Sequence, residues 1–189
     1  MTSSAQQGTQ TRFFIALLPP RDVQAYAETV IQELGQRYQS GTSKSSPHIT
    51  LQPPFQWSFS GFPSLESHLA EFADQHTPIP IQLDGFGAFA PCVLYINVVR
   101  TSELLAQQAA LSKGLGVELG IVDPQAKNRP FVPHLTVASR NLTRQTFHQA
   151  WADLQPRSVQ FEFVVDRLSL MVYQAQRWQI QTEFPLKNL

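Results

Sequence analysis

A single cysteine, Cys92, stands among 189 residues. That rules out a disulfide within the chain and any cysteine cage for a metal. Charge is also scarce: Lys, Arg, Asp and Glu make up 15% of the chain and cancel to a formal net charge of zero. A protein that coats long nucleic acid carries a basic face, and this composition does not supply one. A single phosphate or a nucleic-acid end needs only a few local cations. Long apolar runs are missing as well, since none approaches the roughly 20 residues that cross a bilayer. Residues 1–11 lack the basic-then-apolar signature of a signal peptide. The chain is therefore expected in the cytoplasm, with no membrane partner and as a monomer. Residues 1–11, rich in Ser, Gln and Thr, are expected to form a disordered tail, and 12–189 a single domain.

What the chain does have is apolar bulk, 42% hydrophobic with 13 Phe and 3 Trp, enough to build a core. Phe13-Phe14-Ile15-Ala16-Leu17-Leu18, closed by two prolines, reads as a buried strand. Val23, Ala27, Val30, Ile31 and Leu34 recur at helical spacing, with Gly41 expected to help end that helix. Pro47-His48-Ile49-Thr50-Leu51 alternates as a strand. Leu65, Leu69 and Phe72 mark a second helix, and Ile79, Ile81 and Leu83 a strand running into Gly85-Phe86-Gly87-Ala88-Phe89. The same order then returns: a strand over 93–99, a helix through Leu104, Leu111 and Leu115, then Pro133-His134-Leu135-Thr136-Val137. A helix through Phe147, Trp151 and Leu154 and a strand over 159–165 follow, and two further strands close the chain. Each half thus runs strand, helix, histidine strand, helix, strand. The two histidines lie 86 residues apart. This is an internal duplication with a pseudo-twofold arrangement as its physical content.

Within a strand, residues i and i+2 share a face. His48 therefore projects with Thr50, and His134 with Thr136, while Ile49, Leu51, Leu135 and Val137 turn to the core. The pairing suits a phosphodiester. Imidazoles titrating near neutrality can take a proton from attacking water and give one to the leaving alkoxide. Hydroxyls can donate to the non-bridging oxygens where charge builds. One Pro-His-x-Thr stretch is a weak pattern, but composition alone produces two only on the order of once in 10,000. His68, His76 and His148 have no such partner and are expected in surface or helix-cap roles. No metal-ligand spacing surrounds either motif histidine, so no metal and no cofactor are expected. Gly85-x-Gly87 lacks the third glycine of a dinucleotide loop. Lys44, Lys127 and Arg129 precede the two motifs in loops able to steer an anion. Phe13, Phe55 and Phe89 are aromatics that either stack on a base or fill the core.

The two motifs resemble those of the 2H phosphoesterase superfamily, and most closely its branch of 2′-5′ RNA ligases or RNA 2′,3′-cyclic phosphodiesterases. The resemblance runs from Arg12 onward and includes Phe13-Phe14-Ile15-Ala16-Leu17, residues 85–89 and Phe131-Val132-Pro133-His134. It implies an α+β fold that is bilobal and duplicated, with two pseudo-symmetric, mainly antiparallel sheets lining a central cleft and helices outside. It implies His134 as base and His48 as acid, with Thr50 and Thr136 holding phosphate; Arg140, just beyond the second motif, is the further candidate for binding substrate. The partner would be a small nucleotide or an RNA end bearing a ribose 2′,3′-cyclic phosphate, opened by water. With an RNA 5′-hydroxyl as nucleophile, the reverse reaction would form a 2′-5′ linkage. Two differences from that branch stand out. Gln52-Pro53-Pro54-Phe55 follows the first motif in place of Phe-Leu-Gly, and Ser139 stands where an arginine is common, with Arg140 one residue on. A non-catalytic nucleotide- or RNA-end-binding module would use the same cleft, and turnover separates the two readings.

Overall fold

Alternating apolar residues and one helical stripe after another organise this chain around a single sheet. The computed structural model describes residues 10–42, 44–126 and 129–187. Strand β1 (Gln10–Leu17) is followed by helix α1 (Arg21–Tyr38), β2 (Ile49–Ser58), α2 (Phe62–Gln75) and β3 (Ile79–Phe89). The second run is β4 (Val93–Val98), α3 (Ser102–Leu119), β5 (His134–Ala138), α4 (Arg144–Leu154) and β6 (Gln160–Val165). The hairpin β7 (Arg167–Gln174) and β8 (Arg177–Pro185) closes the chain. The repeated order of elements expected from the sequence is present. Residues 1–9 of the expected tail lie outside the described residues. Gln10 and Thr11, counted with that tail, instead extend β1 and pair with Ser58 and Trp57.

Helix α1 buries Val23, Ala27, Val30 and Leu34, one stripe along its length. It ends when Gln39 turns left-handed (φ 57°) and its N–H reaches the Gly35 carbonyl at 3.0 Å. Gly41 does not end the helix, as the sequence suggested. It forms an isolated bridge to Arg140, with Gly41 N–H donating to the Arg140 carbonyl and the Gly41 carbonyl accepting from Ser139 and Arg140. Thr101 caps α3 by accepting from Leu104 N–H, and Thr143 with Thr146 forms a capping box on α4.

The strands form one antiparallel sheet in the order β6-β3-β4-β5-β2-β1-β7-β8. The two sheets expected from the sequence are the two four-stranded halves of this one, joined where β2 meets β5 through the single pair Ile49↔Leu135. The halves of the sheet are not the halves of the chain. β3 crosses to pair with β4 and β6, and β7 returns to pair with β1. The helices cross the seam as well: α1 packs on β5, and α3 on β2 and β3. One core cluster joins the helix stripes to Ile15, Leu17, Ile49, Leu51, Leu135 and Val137, so the helices cover one face of the sheet. The other face carries the histidines and a small separate cluster of Phe14, Ala16 and Met171 with Trp178 against it.

Candidate active site

The antiparallel pair Ile49↔Leu135 sets the centre of the site. One step either way along the register puts His48 opposite Thr136 and Thr50 opposite His134. The two imidazoles are then diagonal neighbours on one face, and such positions lie about 7–8 Å apart at Cα. Two cavities follow this cross-pairing. A small one of about 70 Å³ holds His48 and Thr136 with Ser45, Ser46 and Ser139. A cleft of about 940 Å³ holds His134 and Thr50 with Gln52, Phe89, Lys113 and Arg129. The partners of the four motif residues behave as the alternation predicted. Ile49 and Leu135 are fully buried, as are Leu51 and Val137 to within 2%, while both histidines and both threonines are half-buried.

The histidines are held alike. His48 Nδ1 lies 2.7 Å from the Ser46 carbonyl, and His134 Nδ1 lies 2.7 Å from the Val132 carbonyl. A carbonyl can only accept, so each imidazole is fixed with its proton on Nδ1 and leaves Nε2 for a reacting atom. Burial pushes both imidazoles below their usual pKa. For His48 the approach of His134 adds to the effect, and the carbonyl of Ser46 partly offsets it. For His134 the carbonyl of Val132 plays that opposing part. Their ring neighbours differ: Phe14 lies 4.8 Å from His48, whereas Phe89 and Tyr95 lie 5.0 and 5.2 Å from His134.

Phe89 thus borders the site, whereas Phe13 is fully buried and Phe55 packs against the core. Arg140 is exposed, its backbone held by the bridge to Gly41, and Ser139 lines the small cavity in its place. Arg129 reaches the large cleft. Lys44 is exposed, its carbonyl accepting from Trp178 N–H, and Lys127 lies outside the described residues. The other histidines have structural partners: His68 pairs with Glu118 at 2.8 Å, His76 stacks on Phe72 at the end of α2, and His148 meets the edge of Phe147. Gly85 takes φ 68° beside a register shift in β3. Gly87 leaves room for the Tyr95 ring, which a Cβ there would meet at 2.3 Å. Among the described residues no three His, Cys, Asp or Glu side chains converge, and no helix is long and apolar enough to cross a membrane.

Lys113 and Gln52 are among the cleft residues that the sequence did not mark as part of the site. Lys113 comes from α3, across the seam, and no local pattern connects it to either motif. Gln52 had a signal, since it continues the row His48, Thr50, Gln52. It is only 1% exposed, and its Nε2 has no hydrogen-bond partner among the described residues. Prolines 53 and 54 follow at the point where the pairing of β1 with β2 slips between Phe13↔Phe55 and Ile15↔Gln52. A proline has no N–H for a ladder, and a slip of this kind accommodates two of them.

The family model of the 2′-5′ RNA ligase superfamily matches residues 19–177. The chain belongs to that superfamily. This member shares 28% identity over 180 residues with a protein of Geobacillus kaustophilus named as a candidate phosphoesterase, a match covering 92% of this chain and 95% of the relative. Its fold is that of Escherichia coli LigT in its apo form (TM-score 0.68, 16% identity, 96% of this chain and 100% of LigT). A Thermus thermophilus protein is equally similar (TM-score 0.67, 19% identity, 93% of this chain and 97% of that one). LigT has also been solved in complex with 3′-AMP. Membership makes this superfamily chain a phosphoesterase in the broad sense.

Proposed function

We propose that the chain hydrolyses a ribose 2′,3′-cyclic phosphate, on an RNA end or a small nucleotide, by acid-base catalysis between His48 and His134. The observation that carries this reading is the crossed register. Each imidazole has its Nδ1 held by a backbone carbonyl, with no Nε2 bond among the described residues, and lines a cavity with the other motif's threonine. A phosphate centred on the seam would have an imidazole on either side and a hydroxyl from each strand. Water attacks phosphorus as the base, His134 by family resemblance, takes its proton. The P–O bond to one ribose oxygen breaks, and His48 delivers a proton to that oxygen. Thr50 and Thr136 donate to the non-bridging oxygens as their charge grows. The complex of LigT with 3′-AMP supports a nucleotide as the occupant of the larger cleft, where Lys113 and Arg129 offset its charge. With an RNA 5′-hydroxyl in place of water, the same steps run forward: it attacks phosphorus as the base takes its proton, the 3′-oxygen departs with the proton from His48, and a 2′-5′ bond remains.

The test is incubation with 2′,3′-cyclic nucleotides and with cyclic-phosphate-ended RNA in EDTA, followed by product identification. Conversion to the monophosphate is expected with chelator present. Cyclic phosphate surviving hours with stoichiometric protein would make the chain a binding module. Activity abolished by EDTA would replace the two-histidine mechanism with a metal-assisted one.

A further inference from the structure

Beyond His48, away from the large cleft, the open face of the sheet continues as a shelf that the hydrolysis of a mononucleotide would not use. Residues 12, 14 and 16 of β1 share this face by alternation. Phe14 links His48 to Trp178, with ring centroids at 4.8 and 4.6 Å. Trp178 meets its cross-strand partner Tyr173 at 5.1 Å. The Arg12 guanidinium stands 5.5 Å from the centroids of both rings. Arg12 itself is exposed and makes no ion pair among the described residues. Arg177 at the hairpin and Lys44, whose carbonyl is tied to Trp178, are exposed cations at the same edge.

A cation over ring faces can serve stability alone, but an aromatic pair that served packing alone would be covered. Here Tyr173 is 38% exposed, Ile180 beside it is 49% exposed, and the Arg12 guanidinium stands against both rings with no ion pair among the described residues. In a chain of zero net charge this is a local concentration of cation and ring faces. Single-stranded nucleic acid is held by that combination, with bases stacking on rings or guanidinium planes and phosphates meeting cations.

The geometry points to a subsite for a second nucleotide: Arg12, Tyr173 and Trp178 hold the neighbouring base and phosphate of a single-stranded RNA whose cyclic-phosphate end sits between His48 and His134. The inference rests on the proposed reading of the cleft and sharpens it, because it makes an oligonucleotide end rather than a free cyclic nucleotide the preferred substrate.

The experiment compares kcat/KM on a 2′,3′-cyclic mononucleotide with that on cyclic-phosphate-ended di- and tetranucleotides, for the unmodified chain, Arg12→Gln and Tyr173→Ala. The unmodified chain is expected to favour the oligonucleotides by about tenfold or more, as one stacked base supplies. In each variant that ratio should fall toward one. Equal rates on all lengths, or a ratio that the variants leave untouched, would overturn the subsite. A parallel binding series uses the quenching of tryptophan fluorescence by 3′-phosphate-ended RNA of the same lengths, which needs no turnover. Length-dependent binding that Arg12→Gln abolishes, without hydrolysis of any substrate, would keep the subsite and discard the catalytic reading. Because Arg12 is exposed, Arg12→Gln separates a lost contact from a lost fold, and Arg12→Lys should restore part of the preference.

Discussion

Activity at this site, as proposed, requires one imidazole neutral and its partner protonated, so kcat/KM should trace a bell against pH. Burial holds both pKa values below the usual 6.5. The protonated partner is therefore lost before neutrality is reached, and both the maximum and the alkaline limb are expected on the acid side of 6.5. A profile flat from pH 5 to 8 would mean that neither histidine titrates in the limiting step. His48→Ala and His134→Ala should each lower the rate about 10²–10⁴-fold. The double variant should lose less than the product, because residues acting as a unit are not additive. Thr50→Ala and Thr136→Ala should cost about 10–10³-fold, since one donor goes but the proton route remains. Gln52 gives the opposite expectation. Its buried Nε2, without a hydrogen-bond partner among the described residues, carries a desolvation cost that Gln52→Leu removes, so urea titration should find the variant about 1 kcal/mol more stable. A lower midpoint would mean that the amide has partners in the folded protein.

At the scale of elements, the histidine strands were legible because a two-residue period alone decides which side chains share a face. The helices were legible from stripes such as Val23, Ala27, Val30 and Leu34. What the sequence hid depends on register and crossing. Nothing local says that His48 will stand opposite Thr136, that Lys113 on α3 will reach across the seam, or that Gly41 will bridge Arg140 rather than end a helix. Gly87 is another such case. Its reason is the ring of Tyr95 on the next strand, and Tyr95 in turn leans on Phe89 and His134. Gly87→Ala should therefore displace that ring, cost about 1–3 kcal/mol and lower kcat along with stability. The measurement pairs a thermal melt with turnover; an unchanged melt and rate would show that Tyr95 moves aside freely.

Across the whole molecule, a single pair of residues joins the two halves of the sheet, so the helices that cross the seam do much of the holding. One fastening of α1 to α4 is explicit. Arg157, just after α4, grips Glu33 of α1 with bonds of 2.7 and 2.6 Å, Arg37 adds a third at 3.0 Å, and Tyr38 and Arg37 both bond Asp153. Arg157 and Arg37 hold the Glu33 carboxyl down to about 2, from an ordinary 4.5. Because the folded value is the lower one, the stabilisation is complete above pH 4.5 and is lost as pH falls toward 2. A third of the Glu33 side chain is in water, and screening trims the effect. Glu33→Gln should cost about 1 kcal/mol at pH 7 in urea titration and nothing measurable at pH 2. An equal cost at both pH values would assign the loss to packing. The interlacing also bears on what happens when the chain is cut. The turn between β3 and β4, with residues 90–92 exposed, divides the two repeats but not the two halves of the sheet. A chain cleaved there yields one piece whose β3 has lost both neighbours and another whose β7 lacks β1. Neither piece is a miniature of the whole. Mixed, they are complementary reagents, each supplying the strands and the crossing helix that the other lacks, and turnover should return only in the mixture.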